Sequence, residues 1–530
     1  MSDRKSLDWM KAEVKRGRMS RREFIQLGIA AGLSVSAADS VFAATAASTP
    51  KKGGSFKIAM GHGGTKDTYD PATWADSFTA DMGTTFGNNL ASIDPKNNPV
   101  PDLAESFEPS DGAKKWVFKL RKGVTFHNGK ALDAGDVVAT FNYHRDEKAK
   151  SAVKSVLSGV TDIKADGGNV VFTLKDANAD FPYLTSDYHL PIFAAKDGKI
   201  DFSAGIGTGP YVTTKFEPGV RYTAKRNPNY HHTDAAWFDD IEMLSIADVA
   251  ARQNALTTGQ VHYADRVDLK TINLLKKRKD LKITDVTGFN HYVAPMICTA
   301  KPFDNVNVRQ ALKYAINREE LVKKVLYGYG APGNDVPLAP SIKFATSPEP
   351  KYHYDPDKAK SLLKAAGMSN LKIDLSTADT AFAGAVDAAL LMKASAKKAG
   401  IDINVVKEPN DSYWDVVWMK KPWCMSYWGG RATADWMFST AYAAEANWND
   451  TFWKNPKFND LLKAARAETD DKKRAGMYAE MQQILHDDGG VIVLMFADFV
   501  AAHSVKVAHG DLNSNFDHDG GYIYQRWWFA

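Results

Sequence analysis

The chain has 530 residues, of which 44% are hydrophobic and 25% are charged, and its formal net charge is +4. This length predicts two to four domains, and the composition is typical of a globular protein. Residues 1–43 hold eight Lys or Arg and five Asp or Glu, so the remaining chain is close to neutral and lacks the basic patch of a nucleic-acid-binding protein. With two cysteines and no C-x-x-C or H-E-x-x-H motif, we expect no zinc site and no cofactor.

The first 46 residues have the organisation of an export signal. Arg21-Arg22 lies in an S-R-R-x-F frame that resembles a twin-arginine signal, and a weakly apolar run follows at residues 27–36. This run is far shorter than the roughly 20 apolar residues of a membrane span. Small residues ending at Ala43 and at Ala46 predict cleavage near one of these positions. We therefore expect the segment to be removed and the protein to reach the bacterial periplasm.

Alternating and continuous apolar patterns predict the first elements of the mature chain. Residues 55–60 form a short apolar strand, and residues 116–120 alternate like a half-buried strand. Asp133 or Asp136 is placed to cap a helix that runs to Phe141. These elements predict a mixed α/β protein.

The second half of the chain contains a predicted β-α-β unit. Asp355-Pro356 begins a helix that Gly367 ends. A strand at 371–375, a helix at about 383–398 and an alternating strand at 401–405 follow, which indicates a parallel α/β sheet. The continuous apolar run at 491–496 is typical of a strand buried on both faces.

Five sequence blocks, in order, resemble one family. They are P-D-L-A-E-S-F at 101–107 with L-R-K-G-V-T-F-H-N-G at 120–129, G-T-G-P-Y at 207–211 with R-N-P-N-Y at 226–230, P-F-D at 302–304 with V-R-Q-A-L at 308–312, Y-D-P at 354–356, and N-P-K-F at 455–458. The chain is identified from them as similar to family 5, cluster C, of the extracellular solute-binding proteins, the peptide/nickel/opine class. The resemblance covers residues 51–500.

The resemblance implies a fold, a division of the chain and partners. The implied fold is the type II periplasmic-binding-protein fold, in which two lobes close over a cleft by hinge motion. Lobe I would comprise residues 47–94, 206–297 and 502–530, an inserted domain residues 95–205, and lobe II residues 298–501, with crossovers near Cys298 and Ala501. A monomeric receptor would deliver a small-molecule or short-peptide solute to an inner-membrane permease with its ATPase.

The segment Pro422–Phe438 is the main candidate for the ligand site. A buried strand at 425–428 stops at Gly429-Gly430, and Arg431 and Asp435 follow at its carboxyl end, where α/β sheets hold ligands. Peptide-binding members of the family carry, near the position of Arg431, an aspartate that pairs with the peptide amine. An arginine there presents a fork of donors to an anion, which predicts an anionic or zwitterionic solute, such as a peptide-like molecule or an opine or sugar conjugate. The alternative is that Arg431 faces solvent or pairs with Asp435.

Further residues are candidates for the cleft wall. The aromatic candidates are Trp414, Tyr427, Trp428, Trp436 and Trp448, which are suited to stacking against a solute. By resemblance, loops or strand ends bring Tyr69, Asn88, Asp187, His189 and Asn290 to the cleft.

Two alternatives stay open from the sequence alone. Cys298 and Cys424 both lie in apolar runs, so they are either buried thiols or a disulfide. An exported hydrolase is the rival function, with Asp487-Asp488 as its paired carboxylates. Adjacent residues rarely converge on one substrate atom, and we therefore expect a binding protein that is not an enzyme.

Overall fold

A computed structural model of the chain describes residues 7–15, 19–35, 37–38, 41, 49–74, 76–151, 153–154, 156–379, 381–409 and 413–530. The predicted cleavage positions, Ala43 and Ala46, lie outside these residues. Before them, Leu7–Lys15 and Arg21–Ala30 are helices, and the Ser20 side chain caps the second. Across the described residues, every helix is too short or too polar to cross a membrane.

A nine-stranded sheet connects most of the molecule. Its strands lie in the order Tyr211–Glu217, Arg221–Arg226, Asp240–Ser245, Ser55–Met60, Tyr263–Ala264, Val491–Ser504, Leu281–Pro295 and Ser426–Trp428, with Gly330–Pro332 also paired to Val491–Ser504. The predicted strand at 55–60 is confirmed and pairs in parallel with Asp240–Ser245. The apolar run at 491–496 is buried throughout, as predicted. It begins a strand that continues to Ser504, longer than the pattern indicated.

The two longest strands of this sheet pair with each other in antiparallel orientation. Residues 281–287 pair with 498–504, and residues 291–295 pair with 491–496. The register shifts between Thr287 and His291, so residues 288–290 have no regular partner. A Cβ on Gly288 would lie 2.3 Å from the ring of Phe499, so glycine at this position leaves room for that ring.

Residues 104–174 form a separate four-stranded antiparallel sheet. Its strands lie in the order Ala104–Ser110, Lys115–Leu120, Asn169–Leu174 and Val160–Asp166. The helix Ala134–Arg145 packs against the sheet, and Asp133 and Asp136 form a reciprocal capping box at its start. Trp116, Phe118 and Leu120 are buried in a core of their own, which confirms the alternating pattern.

The predicted β-α-β unit is also confirmed. Leu371–Thr377 and Ile401–Lys407 pair in parallel, and the helix Ala385–Lys397 connects them. Asp355 caps the helix Pro356–Ala365, and Gly367 follows with φ +73°. Cys298 and Cys424 are free thiols, the second of them buried.

The described residues also contain shorter elements outside these sheets and units. The other helices are Ser77–Phe86, Phe181–Leu184, Val249–Thr257, Ile272–Lys276, Val306–Ala315, Arg318–Val325, Tyr413–Val416, Ala434–Ala441, Pro456–Ala467, Asp471–Asp488, Asp517–Gly521 and Ile523–Arg526, with 3-10 turns at Pro71–Thr73 and Val156–Gly159. The other strands are Ala91–Ile93, Pro99–Pro101, Ala195–Lys196, Lys199–Ile200, Val507–Ala508 and Trp528–Phe529.

Candidate functional site

A cavity of about 1060 Å³ lies where several distant parts of the chain meet. Its wall is formed by parts of residues 80–93, of 153–189, of 429–448 and of 515–522, together with Arg466. This volume is at the upper end of the range for small-molecule sites, about 300–1,000 Å³. It accommodates a solute of the size of a short peptide.

The local structure of residues 426–441 fixes where Arg431 lies. The strand Ser426–Trp428 pairs with residues 291–293, and the chain then turns at Gly430, whose φ is +77°. A Cβ there would lie 2.2 Å from Cβ of Phe289, so glycine is required both for the conformation and for the close approach. The Thr433 hydroxyl then accepts a hydrogen bond from the backbone of Trp436 and caps the helix Ala434–Ala441. Arg431 is therefore held between a fixed turn and a capped helix.

Arg431 lines the cavity, and its side-chain hydrogen bond among the described residues goes to a backbone carbonyl. Its Nη1 donates to the carbonyl of Gly430 at 2.6 Å, and its Cζ lies 5.8 Å from the centre of the Trp436 ring. Among the described residues, no carboxylate forms an ion pair with it within 4.0 Å. Burial lowers the pKa of Arg431, and the nearby Asp187 carboxylate opposes this effect. The guanidinium is thus a desolvated cation whose free donors suit a planar anion.

Asp187 and His189 line the same cavity and form an ion pair with each other. Nδ1 of His189 lies 2.6 Å from Oδ1 of Asp187, and its Nε2 lies 2.8 Å from the carbonyl of Trp74. Both contacts need a donated proton, so the ring is protonated. Burial favours the neutral ring, but the Asp187 carboxylate raises the pKa of His189 above its ordinary value. Burial likewise opposes the charge on Asp187, and His189 with Arg431 holds the pKa of that carboxyl below its ordinary value.

Asp435 pairs with Arg466 and not with Arg431. Nε of Arg466 donates to both carboxylate oxygens, at 3.0 and 3.2 Å. Burial raises the pKa of Asp435 to about 6 against the attraction of Arg466. A second pair lies beside it, in which Nη2 of Arg474 lies 2.6 Å from Oδ2 of Asp180. Asp435, Arg466 and Asp180 all line the cavity.

The predicted aromatic residues separate into wall and core. Trp436 and Trp448 line the cavity, as do Gly429 and Gly430. Trp428 is buried behind them, with its ring centre 6.1 Å from that of Trp448. Tyr427 is 46% exposed and is not one of the lining residues. The side chain of Trp414 lies outside the described part of the structure.

Three residues that the resemblance placed at the cleft lie away from the cavity wall. Tyr69 packs between Phe86 and Phe216, with ring centres 5.8 and 5.1 Å away. Asn88 is buried, and its Nδ2 donates to the Asp102 carboxylate. Asn290 lies in the register shift of the two long strands. The cavity wall includes none of them.

The structure also adds wall residues that the sequence interpretation missed. Residues 518–521 form a left-handed turn, with φ between +55° and +81°, and Gly520 and Gly521 line the cavity. His518 anchors this turn, since its Nδ1 lies 2.9 Å from Asp81 and its Nε2 3.3 Å from Asp265. The D-G-G triplet at 519–521 was the only local signal. Arg466 and Asp180 gave no such signal, because each is distant in sequence from the segment it contacts.

The paired carboxylates of the hydrolase hypothesis lie outside the cavity wall. Asp488 accepts hydrogen bonds from Arg309 and Trp453, both at 2.8 Å. Asp487 is 2.8 Å from Nδ1 of His486 and also accepts from Gln483. Each carboxylate thus has separate structural partners.

Comparisons with known proteins agree with this architecture. The model of the bacterial extracellular solute-binding proteins, family 5, matches residues 98–450. The glutathione-binding protein GsiB of Escherichia coli K12 is 27% identical over 510 residues, covering 91% of this chain and 94% of GsiB. The structure of Helicobacter pylori DppA with a bound peptide has a TM-score of 0.74 at 24% identity, covering 90% of this chain and 98% of that one. The structure of AgaA of A. tumefaciens R10 with agropinic acid has a TM-score of 0.74 at 21% sequence identity, covering 90% of this chain and 99% of AgaA. The fold is therefore the predicted type II periplasmic-binding-protein fold.

Proposed function

Because this chain belongs to family 5 of the bacterial extracellular solute-binding proteins, we propose that it is the periplasmic receptor of an ATP-driven importer that captures an anionic or zwitterionic solute through Arg431. It would deliver this solute to an inner-membrane permease with its ATPase. The observation that carries the ligand assignment is the guanidinium of Arg431, which lines the cavity without an ion-pair partner among the described residues. A partly buried cation of this kind gains more from a bound anion than a fully solvated one does.

The charges of the cavity favour an anionic group on the solute. Arg431 supplies donors for a carboxylate, phosphate or sulfate group, whereas the Asp187 carboxylate is already paired with protonated His189. The GsiB relatives are named for glutathione, a tripeptide with two carboxylates and one ammonium group. This similarity and the cavity volume support a peptide-like or conjugate solute of about that size.

We place the hinge of this receptor at the register shift between Thr287 and His291. On one side of the shift, Val491–Ser504 pairs with Tyr263–Ala264 of predicted lobe I, and on the other side Leu281–Pro295 pairs with Ser426–Trp428. Residues 288–290 lack regular pairing, so rotation there breaks few backbone hydrogen bonds. This position lies on the strand Leu281–Pro295, upstream of the crossover predicted near Cys298, and closure about it would exclude water from the solute.

The test begins with a thermal-shift screen of the untagged protein against reduced glutathione, acidic and neutral tripeptides, and opine-type conjugates. A ligand at 100 times its Kd stabilises the folded state by about 2.7 kcal/mol, which such a screen detects. The best ligand is then titrated calorimetrically into wild type and Arg431→Gln. We expect the substitution to weaken binding by about 1.5–3 kcal/mol, or roughly 10–150-fold, because it removes charge-assisted hydrogen bonds.

Two controls make the result specific. Arg278→Gln removes an exposed arginine that pairs with Asp280, and binding should not change. The second control replaces the carboxylate of the ligand by its neutral amide. Wild type should bind the amide more weakly than the acid, whereas Arg431→Gln should bind the two forms equally well. An unchanged Kd in Arg431→Gln would remove Arg431 from the site. Turnover of an acyl or glycosyl substrate by the purified protein would instead support the hydrolase, and saturable binding without product would exclude it.

A further inference from the structure

A second group of possible ligand atoms lies away from the cavity. Asp102 follows the strand Pro99–Pro101, and His231 and His232 follow the strand Arg221–Arg226. Each residue offers one nitrogen or oxygen, and these three atoms lie within 4.8 Å of one another. None of the three residues lines the cavity. The Asp102 side chain is buried, but 28% of the His232 side chain is exposed, so solvent reaches the group from that side.

Two of the three separations are close to the edges of a tetrahedral metal site. Nε2 of His231 lies 3.3 Å from Oδ1 of Asp102, and Nε2 of His232 lies 3.0 Å from the same oxygen. Zinc binds histidine nitrogen and carboxylate oxygen at about 2.0–2.2 Å, which in a tetrahedron places neighbouring ligand atoms roughly 3.3–3.5 Å apart. The two separations from Asp102 are thus close to tetrahedral edge lengths, and the two histidine nitrogens lie within 4.8 Å of each other.

Neighbouring residues hold the carboxylate in place. Nδ2 of Asn88 donates to both oxygens of Asp102, at 3.3 and 3.1 Å, and Oδ1 of Asn88 accepts from the Thr208 hydroxyl at 3.2 Å. Such outer contacts orient the ligands of metal sites. Nδ1 of His231, in contrast, is buried and has no hydrogen-bond partner among the described residues. In a ring that binds the metal through Nε2, this Nδ1 carries the proton, and it lacks the acceptor that usually orients such a ring. We therefore expect micromolar rather than nanomolar affinity.

We propose that Asp102, His231 and His232 bind a divalent transition-metal ion, with two nitrogens and one oxygen as ligands and a fourth position open to solvent. This ligand set suits Zn²⁺ best, and Ni²⁺ and Cu²⁺ share the preference for imidazole. The competing explanation of the same contacts is that both rings donate N–H groups to Asp102. In that arrangement the two Nε2 atoms are protonated and take up no metal.

Metal titration separates the two explanations. The untagged protein, in metal-free buffer at pH 7.5, is titrated with ZnCl₂ by calorimetry and with CoCl₂ by visible absorption, because tetrahedral Co²⁺ absorbs far more strongly than octahedral Co²⁺. We expect one equivalent of each ion to bind, with a tetrahedral Co²⁺ spectrum. His231→Gln and His232→Gln should each weaken Zn²⁺ binding at least tenfold. His353→Gln, which changes an exposed histidine elsewhere, should leave it unchanged.

The proposal fails if wild type takes up no stoichiometric Zn²⁺, or if the double variant His231→Gln/His232→Gln binds as wild type does. His231 is the more buried ring, so its loss could also disturb the fold. The partly exposed His232 provides the deciding variant, with its thermal midpoint measured without metal. A wild-type midpoint combined with unchanged Zn²⁺ affinity in His232→Gln would overturn the assignment.

Discussion

The ion pair between Asp180 and Arg474 should control how readily the cleft opens. Asp180 belongs to the predicted inserted domain, and Arg474 belongs to predicted lobe II. Their side chains lie 2.6 Å apart and are only 10% and 4% exposed. Beside them, the amide of Ala179 donates to the carbonyl of Arg466 at 2.9 Å. If the cleft opens by hinge motion between these parts, both contacts must break together.

The expected magnitude follows from the burial of the pair. Asp180→Asn leaves the Arg474 guanidinium buried without a charge partner in the closed form, which costs about 3–5 kcal/mol. In the open form water solvates the guanidinium, and most of this cost disappears. At about 1.4 kcal/mol for each factor of ten, the opening equilibrium shifts by roughly two to nearly four orders of magnitude.

Hydrogen exchange and small-angle scattering measure this shift without a known solute. We expect faster exchange of the Ala179 amide and a larger radius of gyration in Asp180→Asn. Adding Arg474→Met should restore most of the closed population, because it removes the unpaired charge. Asp471→Asn is the matched control, because Asp471 lies on the same helix as Arg474. Asp471 is 61% exposed and its partner Lys343 is 44% exposed, so the loss of this ion pair should change the opening free energy by less than about 1 kcal/mol. If the exchange rate of the Ala179 amide and the radius of gyration of Asp180→Asn equal those of wild type, the ion pair does not control opening of the cleft.

Two further predictions concern the cavity wall. Gly430→Ala should destabilise the protein by at least about 1–2 kcal/mol in urea unfolding, because its φ of +77° disfavours a side chain and its Cβ would clash with Phe289. Gly429→Ala, which meets no atom within 4 Å, should change stability by less than about 0.5 kcal/mol, and equal effects would contradict this account. Burial alone would lower the pKa of His518, but two carboxylates raise it to about 10. Its stabilisation is therefore complete below the unfolded value near 6.5 and is lost as pH rises toward 10, so the unfolding free energy should fall between pH 7 and 9. His518→Gln should flatten this dependence, and an unchanged slope would contradict it.

The sequence by itself determined the local elements, the family resemblance and the segment that carries Arg431. Caps at Asp133 and Asp355, the β-α-β unit and the buried run at 491–496 all depend on residues close together in the chain. Such signals are readable because a helix cap or an alternating strand involves only near neighbours. The placement of Arg431 after a Gly-Gly turn is also a local property.

Only the tertiary structure decided which partners these residues have. Asp435 could pair with Arg431 by sequence spacing, but Arg466, 31 residues away, takes it and leaves the Arg431 guanidinium facing the cavity. Asn88, expected at the cleft, instead holds Asp102 beside two histidines that lie about 130 residues further along the chain. Contacts of this kind arise from how distant segments pack, because buried charges pair with whatever opposite charge the fold brings near, and no local pattern encodes that choice.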